Sequence, residues 1–179
     1  VVARRSAVME DLRSIPAAPG IPPEALRNIV VLDYGDDACF EILDSIANEL
    51  AAVLIEPVQS RRPDFQPVEF LKKLRDWTRR HSVAYIFDEV ITGFRLHPRG
   101  AQGWYGIEAD ICAYGKVIGG GMPAGILAGK AQYMNALDGG PWQYGDDSFP
   151  EVGVTYFAGT FVRHPLTVAA AYAAVTYIQ

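Results

Sequence analysis

The sequence predicts an α/β fold in which a mostly parallel sheet carries helices on both faces. Several short runs are apolar throughout, as is typical of strands buried on both sides, and amphipathic helical segments lie between them. The composition agrees, because 50% of the 179 residues are hydrophobic and a chain of this length can bury a substantial core. We therefore expect an ordered domain.

The first predicted elements precede residue 56. Residues 28–32 form a β-rich run. Asp36 and Asp37 can begin a helix that continues to about Leu50, because acids are favourable near the positive end of a helix. Residues 51–55 form an apolar strand.

A longer helix and further strands follow. Pro67 begins a helix with one apolar face, Phe70, Leu71, Leu74 and Trp77, and with basic side chains on its other faces, Lys72, Lys73, Arg75 and Arg79. Strands are predicted at residues 83–87, 110–114 and 125–128. Residues 138–155 form a long loop or irregular hairpin, and residues 166–179 form an alanine-rich helix that looks unfinished.

Three charged side chains lie just past the ends of predicted strands: Glu56, Asp88 and Lys116. In parallel sheets, ligands bind outside the carboxyl ends of the strands. We therefore expect these three residues at one edge of the sheet, where they would form a site.

Asp88 and Lys116 have the chemistry that pyridoxal phosphate requires. A carboxylate beside the pyridine nitrogen keeps that nitrogen protonated, because an opposite charge at short range favours the charged form. A lysine amine can bind the cofactor's aldehyde and carry protons, and Gly115 and residues 119–121 leave room for a close approach. Val90 points to the same side of an extended chain as Asp88 and would lay its methyl groups on a ring face.

An apolar run that ends in Asp88 and Glu89 also has the form of the magnesium-binding strand of many ATPases. Such an ATPase requires a phosphate loop of the form G-x-x-x-x-G-K-[ST]. The nearest stretch, residues 125–131, is one residue short, has Ala131 in place of the hydroxyl residue, and follows the acid instead of preceding it. The sequence therefore disfavours an ATPase.

Four strings extend the pattern to nearly the whole chain: IEPVQ at residues 55–59, FDEVITGFR at 87–95, DICAYGKVIGGGMP at 110–123 and GTF at 159–161. In this order they resemble the class III aminotransferases, closest to glutamate-1-semialdehyde aminomutase. The string AGTFVRHPL at residues 158–166 resembles the version found in aminotransferase domains of polyketide and peptide synthases. The resemblance implies a type I pyridoxal-phosphate fold, with residues 1–179 as a fragment of its large domain that lacks the upstream phosphate loop and the carboxyl-terminal small domain.

The resemblance also implies individual roles in binding pyridoxal 5'-phosphate. Lys116 would be the Schiff-base lysine, Asp88 the partner of the ring nitrogen, and Val90 a packing residue on the ring. Gln59 would lie near the phenolic oxygen of the cofactor. Thr160 would reach the phosphate of a cofactor held mainly by the other subunit of a homodimer.

Two further residues concern the substrate. Glu56 sits where family members often place an acid on the substrate side of the ring, and it can equally be an acid that ties down a nearby loop. Arg163, with His164, departs from the aminomutase pattern. The synthase-like string implies transfer of an amino group from an amino acid donor to a carbonyl acceptor, a β-keto acyl thioester on an acyl carrier protein. Glutamate-1-semialdehyde 2,1-aminomutase and a noncatalytic carrier-docking domain are the alternatives.

Charge and cysteine usage argue against several classes of protein. The net charge is −5, and the basic residues are dispersed, so we expect no nucleic acid and no membrane as a partner. Cys39 and Cys112 stand far apart among apolar residues, which favours reduced core cysteines over a metal or redox site. No apolar run approaches membrane-spanning length. The expected setting is the cytoplasm.

Overall fold

The computed structural model of the protein describes residues 3–5 and 14–178. The chain divides into two compact units, Val1–Ala47 and Asn48–Gln179. Each unit is described by itself.

Among its described residues, the first unit contains a two-stranded antiparallel sheet and one α-helix. Strand β1, Ala3–Arg5, pairs with strand β2, Ser14–Pro16. Helix α1, Cys39–Ile46, buries Cys39 and Leu43. The prediction of a helix here is confirmed, although the α-helix is shorter than the stretch to Leu50 and ends in a 3₁₀ turn, Ala47–Glu49.

Two details of this unit bear on the sequence predictions. Asp36 accepts a hydrogen bond from the Ala38 amide at 2.9 Å, so an acid does precede the helix. The predicted strand at residues 28–32 is wrong, because these residues follow a 3₁₀ turn, Pro23–Leu26, and have irregular backbone. Within the described residues no strand pairs with this run. Without a paired strand, the backbone of a β-rich sequence cannot make the hydrogen bonds of a sheet.

The second unit is built on a four-stranded sheet in the order β3-β4-β5-β6. The strands are Ala52–Ile55, Ala84–Asp88, Ile111–Gly115 and Gly125–Gly129. Strands β3, β4 and β5 are parallel, whereas β6 runs antiparallel to β5. The prediction of a mostly parallel sheet is therefore confirmed, and each of the four strands lies within one residue of its predicted position.

Four α-helices accompany this sheet: α2, Val68–His81; α3, Gly100–Tyr105; α4, Ala131–Met134; and α5, Pro165–Ile178. The predicted helices after Pro67 and over residues 166–179 are confirmed, whereas the short helices α3 and α4 were not predicted. Residues 138–155 have neither helix nor strand, as expected for a loop. No helix within the described residues is long and apolar enough to cross a membrane.

Helix α2 packs its predicted apolar face into the core. Phe70, Leu71, Leu74 and Trp77 are all buried. Arg75, one of the basic residues expected on the other faces of the helix, is only 4% exposed. A buried guanidinium requires a negatively charged partner. The partner of Arg75 lies at the amino end of β5.

That partner is Asp110, which precedes β5 and is also buried. Arg75 donates two hydrogen bonds to its carboxylate, at 2.7 and 2.8 Å. Lys130 Nζ and the Tyr85 amide add one each, at 2.7 and 2.9 Å. Burial alone would raise the pKa of Asp110, but the hydrogen bonds from Arg75, Lys130 and Tyr85 outweigh it and hold the pKa well below its usual range.

We predict that this network contributes stability that disappears at low pH. Because the pKa of Asp110 is lower in the folded than in the unfolded protein, its contribution is complete above about pH 5 and is lost as the pH falls below about 4. Asp110→Asn should lower the free energy of unfolding by about 3–5 kcal/mol at pH 7, because it leaves Arg75 as an uncompensated buried charge. Urea denaturation of the intact protein measures this difference.

The matched control is Asp64→Asn, at an exposed acid, which should change the free energy of unfolding by less than about 0.5 kcal/mol. The difference in the free energy of unfolding between wild type and Asp110→Asn should become smaller as the pH falls from 5 to 3. If the two proteins have equal free energies of unfolding at pH 7, or if their difference does not depend on pH, the ionised Asp110 does not stabilise the fold.

Candidate active site

The carboxyl ends of the three parallel strands bring the charged residues together at one edge. Glu56 directly follows β3, Asp88 is the last residue of β4, and Lys116 directly follows β5. In the β4–β5 register Asp88 lies opposite Ala113. Lys116 is three residues further along the chain, so the acid and the lysine come from neighbouring strands.

Asp88 is held in place by one of its two carboxylate oxygens. It is half-buried, and its Oδ1 accepts a hydrogen bond from the Val90 amide at 3.1 Å. Within the described residues, Oδ2 has no hydrogen-bond donor. The carboxylate is thus oriented and still has an oxygen available for a cationic ligand.

Lys116 begins a tight turn in a conformation that lysine seldom adopts. Its φ is +51°, in the left-handed region, and it is the first residue of a 3₁₀ turn, Lys116–Gly119. The side chain is exposed, and its amine has no hydrogen bond or ion pair with any described residue. Strained backbone persists where the surrounding structure imposes it, and such positions cluster at functional sites.

Val90 lies against the backbone that leads to Lys116. A Cβ atom built on Gly115 would lie 3.3 Å from Val90 Cγ1 and 3.4 Å from the Ala124 carbonyl oxygen. The valine side chain therefore occupies the space that a side chain at residue 115 would fill. Val90 thus packs beside Gly115, the residue before Lys116. It lies in the turn after β4, so the extended chain from which its direction was predicted ends at Asp88.

Helix α5 braces the Lys116 turn, a contact that sequence reasoning missed. Gly120 has a φ of +55°, and a Cβ atom there would lie 2.8 Å from the Ala170 carbonyl oxygen and 3.5 Å from Ala174 Cβ. Only a glycine facing small helix residues permits this approach. The alanine-rich composition of α5 and the run of three glycines were the available signals.

Glu56 and Gln59 lie on the loop after β3, and both are half-buried. Glu56 Oε1 accepts a hydrogen bond from the Ser60 amide at 2.9 Å, so this acid does tie down its loop. The Gln59 carbonyl accepts a hydrogen bond from the Arg62 amide at 2.9 Å. The Arg62 guanidinium lies 4.6 Å from the centre of the Phe65 ring, which gives the loop a fixed shape.

Thr160 and Arg163 occupy a different part of the unit. Both are exposed and line a cavity of about 620 Å³ between the start of α5 and strand β6, and neither Asp88 nor Lys116 lines it. Arg163 has a φ of +58°. Within this unit the structure therefore does not join Thr160 and Arg163 to the Asp88–Lys116 group.

Glu89 does not join Asp88 at the edge of the sheet. Successive side chains of a strand point to opposite faces, and Glu89 is fully buried with its carboxylate on the first turn of α3. An ATPase strand needs its acids near a bound metal. The geometry thus gives no support to the ATPase alternative.

Comparison with known proteins identifies relatives over most of the chain. The family model "Aminotransferase class-III" matches residues 8–179. Glutamate-1-semialdehyde 2,1-aminomutase from Pyrobaculum aerophilum is 41% identical over 167 residues, which are 92% of this chain and 37% of the relative. The protein of the same name from a Hydrogenobaculum species is 45% identical over 157 residues, which are 87% and 34% of the two chains.

Solved structures agree with these relatives. An omega-transaminase from Sphaerobacter thermophilus superimposes with a TM-score of 0.82 at 32% identity, covering 99% of this chain and 39% of that one. A glutamate-1-semialdehyde aminomutase from Pseudomonas aeruginosa gives a TM-score of 0.74 at 27% identity, covering 99% and 38%. The chain thus spans less than two fifths of the length of these relatives, and the α/β fold expected from the sequence is confirmed as that of the transaminases.

We predict that the contact between Gly120 and α5 stabilises the Lys116 turn. Gly120→Ala and Gly121→Ala both place a side chain at a positive φ, but only the first meets another element, because nothing lies within 4 Å of a Cβ atom on Gly121. Gly121→Ala should therefore carry only the backbone cost, roughly 1–3 kcal/mol. Gly120→Ala should lose about 1–3 kcal/mol more of the free energy of unfolding through overpacking. Equal losses in urea denaturation of the intact protein would show that α5 does not brace the turn.

Proposed function

Because this chain belongs to the class III aminotransferase family, we propose that the protein containing it transfers an amino group from an amino acid donor to a carbonyl acceptor. The proposed cofactor is pyridoxal 5'-phosphate, which a structural relative at a TM-score of 0.78 binds. One observation carries the proposal. Asp88 and Lys116 lie at the ends of neighbouring parallel strands, and each has a polar group without a partner among the described residues.

The residues at this edge fit the cofactor. Oδ2 of Asp88 can accept a hydrogen bond from a protonated ring nitrogen, and the amine of Lys116 is accessible for a covalent link to an aldehyde. Val90 presents methyl groups beside the bare backbone of Gly115. Gln59 is the proposed neighbour of the phenolic oxygen, and Thr160 the proposed contact for the phosphate of the other subunit's cofactor.

Each residue has a defined task in the proposed reaction. When bound, pyridoxal phosphate supplies an electron sink for the bond broken at the substrate carbon. Asp88 keeps its negative charge against the ring and so favours the protonated nitrogen. Lys116 Nζ would move a proton between the substrate carbon and the cofactor. Glu56 and Arg163 are the proposed contacts to the substrate, with the second oxygen of Glu56 available beyond its bond to Ser60.

For the acceptor we propose a β-keto acyl thioester on an acyl carrier protein. Support comes from the synthase-like string at residues 158–166 and from a structural relative, a β-phenylalanine aminotransferase from Variovorax paradoxus, with a TM-score of 0.69 at 33% identity over 80% of this chain. Glutamate-1-semialdehyde 2,1-aminomutase remains the second candidate, because curated relatives at 41% and 45% identity carry that name. A noncatalytic docking domain has no need for either Asp88 or Lys116.

The assembly is the remaining part of the proposal. We propose that residues 1–179 are part of the cofactor-binding large domain of a homodimer, with the phosphate loop and the small domain supplied by other parts of the polypeptide. The relatives' greater length supports this division. The free, buried cysteines Cys39 and Cys112 support a reducing, cytoplasmic setting.

We predict that the intact protein aminates a β-keto acyl group on a carrier protein faster than it isomerises glutamate-1-semialdehyde. Mass spectrometry of the acyl carrier and assay of 5-aminolevulinate measure the two activities. Asp88→Asn should slow whichever reaction occurs by roughly 100- to 1,000-fold, because the reaction loses an electrostatic contribution of about 3 to 4 kcal/mol. Exclusive turnover of glutamate-1-semialdehyde would overturn the acceptor assignment, and near-normal turnover by Asp88→Asn would overturn the role of Asp88.

A further inference from the structure

Glu89 is a buried carboxylate that the proposed chemistry does not use. Its side chain is among the largest that are fully buried, and no cation among the described residues pairs with it. Three donors surround it instead: Thr92 Oγ1 at 2.8 Å, the Ala101 amide at 2.7 Å and the Gln102 amide at 3.1 Å. The two amides belong to the first turn of α3, which has N–H groups without partners inside the helix. The Glu89 carboxylate is thus stabilised by the amides of α3, and it fixes the start of that helix.

The surrounding backbone leaves room for this carboxylate. A Cβ atom on Gly100 would overlap the carboxylate oxygens of Glu89, and Gly100 also has a φ of +62°. A Cβ atom on Gly93 would lie 2.7 Å from the Glu89 carbonyl oxygen and would overlap the Tyr114 ring. Two glycines therefore allow α3 and the loop after β4 to close around residue 89.

The same residue continues the pairing of β4 with β5. Its amide donates a hydrogen bond to the Ala113 carbonyl at 2.9 Å, beyond the register partners Asp88 and Ala113. Because Asp88 and Glu89 point to opposite faces of the chain, fixing the Glu89 side chain sets the rotation of the strand end. We infer that this rotation also sets the direction of the neighbouring Asp88 side chain.

Helix α3 also reaches the strand that carries Lys116. Gln102 Nε2 donates a hydrogen bond to the Tyr114 hydroxyl at 3.1 Å, and Gln102 Oε1 accepts one from the Ala109 amide at 3.0 Å. Tyr114 is two residues before Lys116. The element that Glu89 anchors is thus tied to the end of β5 as well as to the end of β4.

We propose that Glu89 is a positioning residue, which acts through Asp88 and holds the ends of β4 and β5 in the arrangement that the cofactor requires. This inference rests on the proposed function. Glu89→Gln keeps the size of the side chain, but its amide nitrogen cannot accept a hydrogen bond from Thr92 or from the main chain. One end of the side chain then faces N–H donors without an acceptor, and the strand end loses its fixed rotation.

The test uses the intact protein and measures the dissociation constant of pyridoxal phosphate together with the visible circular dichroism of the bound cofactor, which reports its orientation. Glu89→Gln should weaken cofactor binding at least tenfold and change the dichroism. Thr92→Val removes one donor to Glu89, so it should also weaken cofactor binding and change the dichroism, but to a smaller extent. If Glu89→Gln does not fold, Thr92→Val provides the test. Leu71→Ala, a core change in α2, should lower the melting temperature and leave both cofactor measurements unchanged.

A double-mutant cycle then tests whether Glu89 acts through Asp88. In the Asp88→Asn background, Glu89→Gln should alter the dissociation constant by a smaller factor than in the wild-type background, because only its effect at the end of β5 remains. The positioning role would be overturned if Glu89→Gln binds the cofactor with wild-type affinity and dichroism. It would also be overturned if Glu89→Gln changes the dissociation constant by the same factor in both backgrounds. Either result leaves the proposed function intact. A wild-type protein that does not bind pyridoxal phosphate would overturn the proposed function and this inference with it.

Discussion

The parallel pairing of β4 with β5 is the constraint on which the site depends. Because both strands run in the same direction, their carboxyl ends lie at one edge of the sheet, and the register places Asp88 opposite Ala113. Lys116 then follows within one tight turn of a strand that β6 supports from its other side. A shift of the register by one residue would turn Asp88 to the opposite face, so the chemistry requires this particular pairing.

A buried carboxylate lies at each end of this strand pair. At the amino end of β5, Asp110 accepts hydrogen bonds from Arg75 and from the Tyr85 amide, and its own amide donates to the Tyr85 carbonyl. At the carboxyl end, Glu89 binds the first turn of α3 while its amide donates to Ala113. The first carboxylate is balanced by cations and the second by helix N–H groups. Both acids therefore link β4 to the rest of the second unit.

The sequence was sufficient for the four strands of the second unit and the edge that they form, because continuous apolar runs and a following charge are local signals. It was insufficient where a side chain depends on a distant partner. Arg75 belongs by spacing to a polar helix face, and only Asp110, 35 residues away, explains its burial. Residues 28–32 have β-rich composition, but no strand in the described part of the chain pairs with them. The contact of Gly120 with α5 likewise joins segments that are far apart in sequence.

The proposed attachment point of the cofactor is Lys116. The direct measurement is borohydride reduction of the intact protein with pyridoxal phosphate bound, followed by peptide mapping with mass spectrometry. We expect the reduced pyridoxyl group on Lys116, whose amine has no partner among the described residues, and not on Lys130, which is paired with Asp110. A label on Lys130 or on any other lysine, or no label at all, would contradict the account.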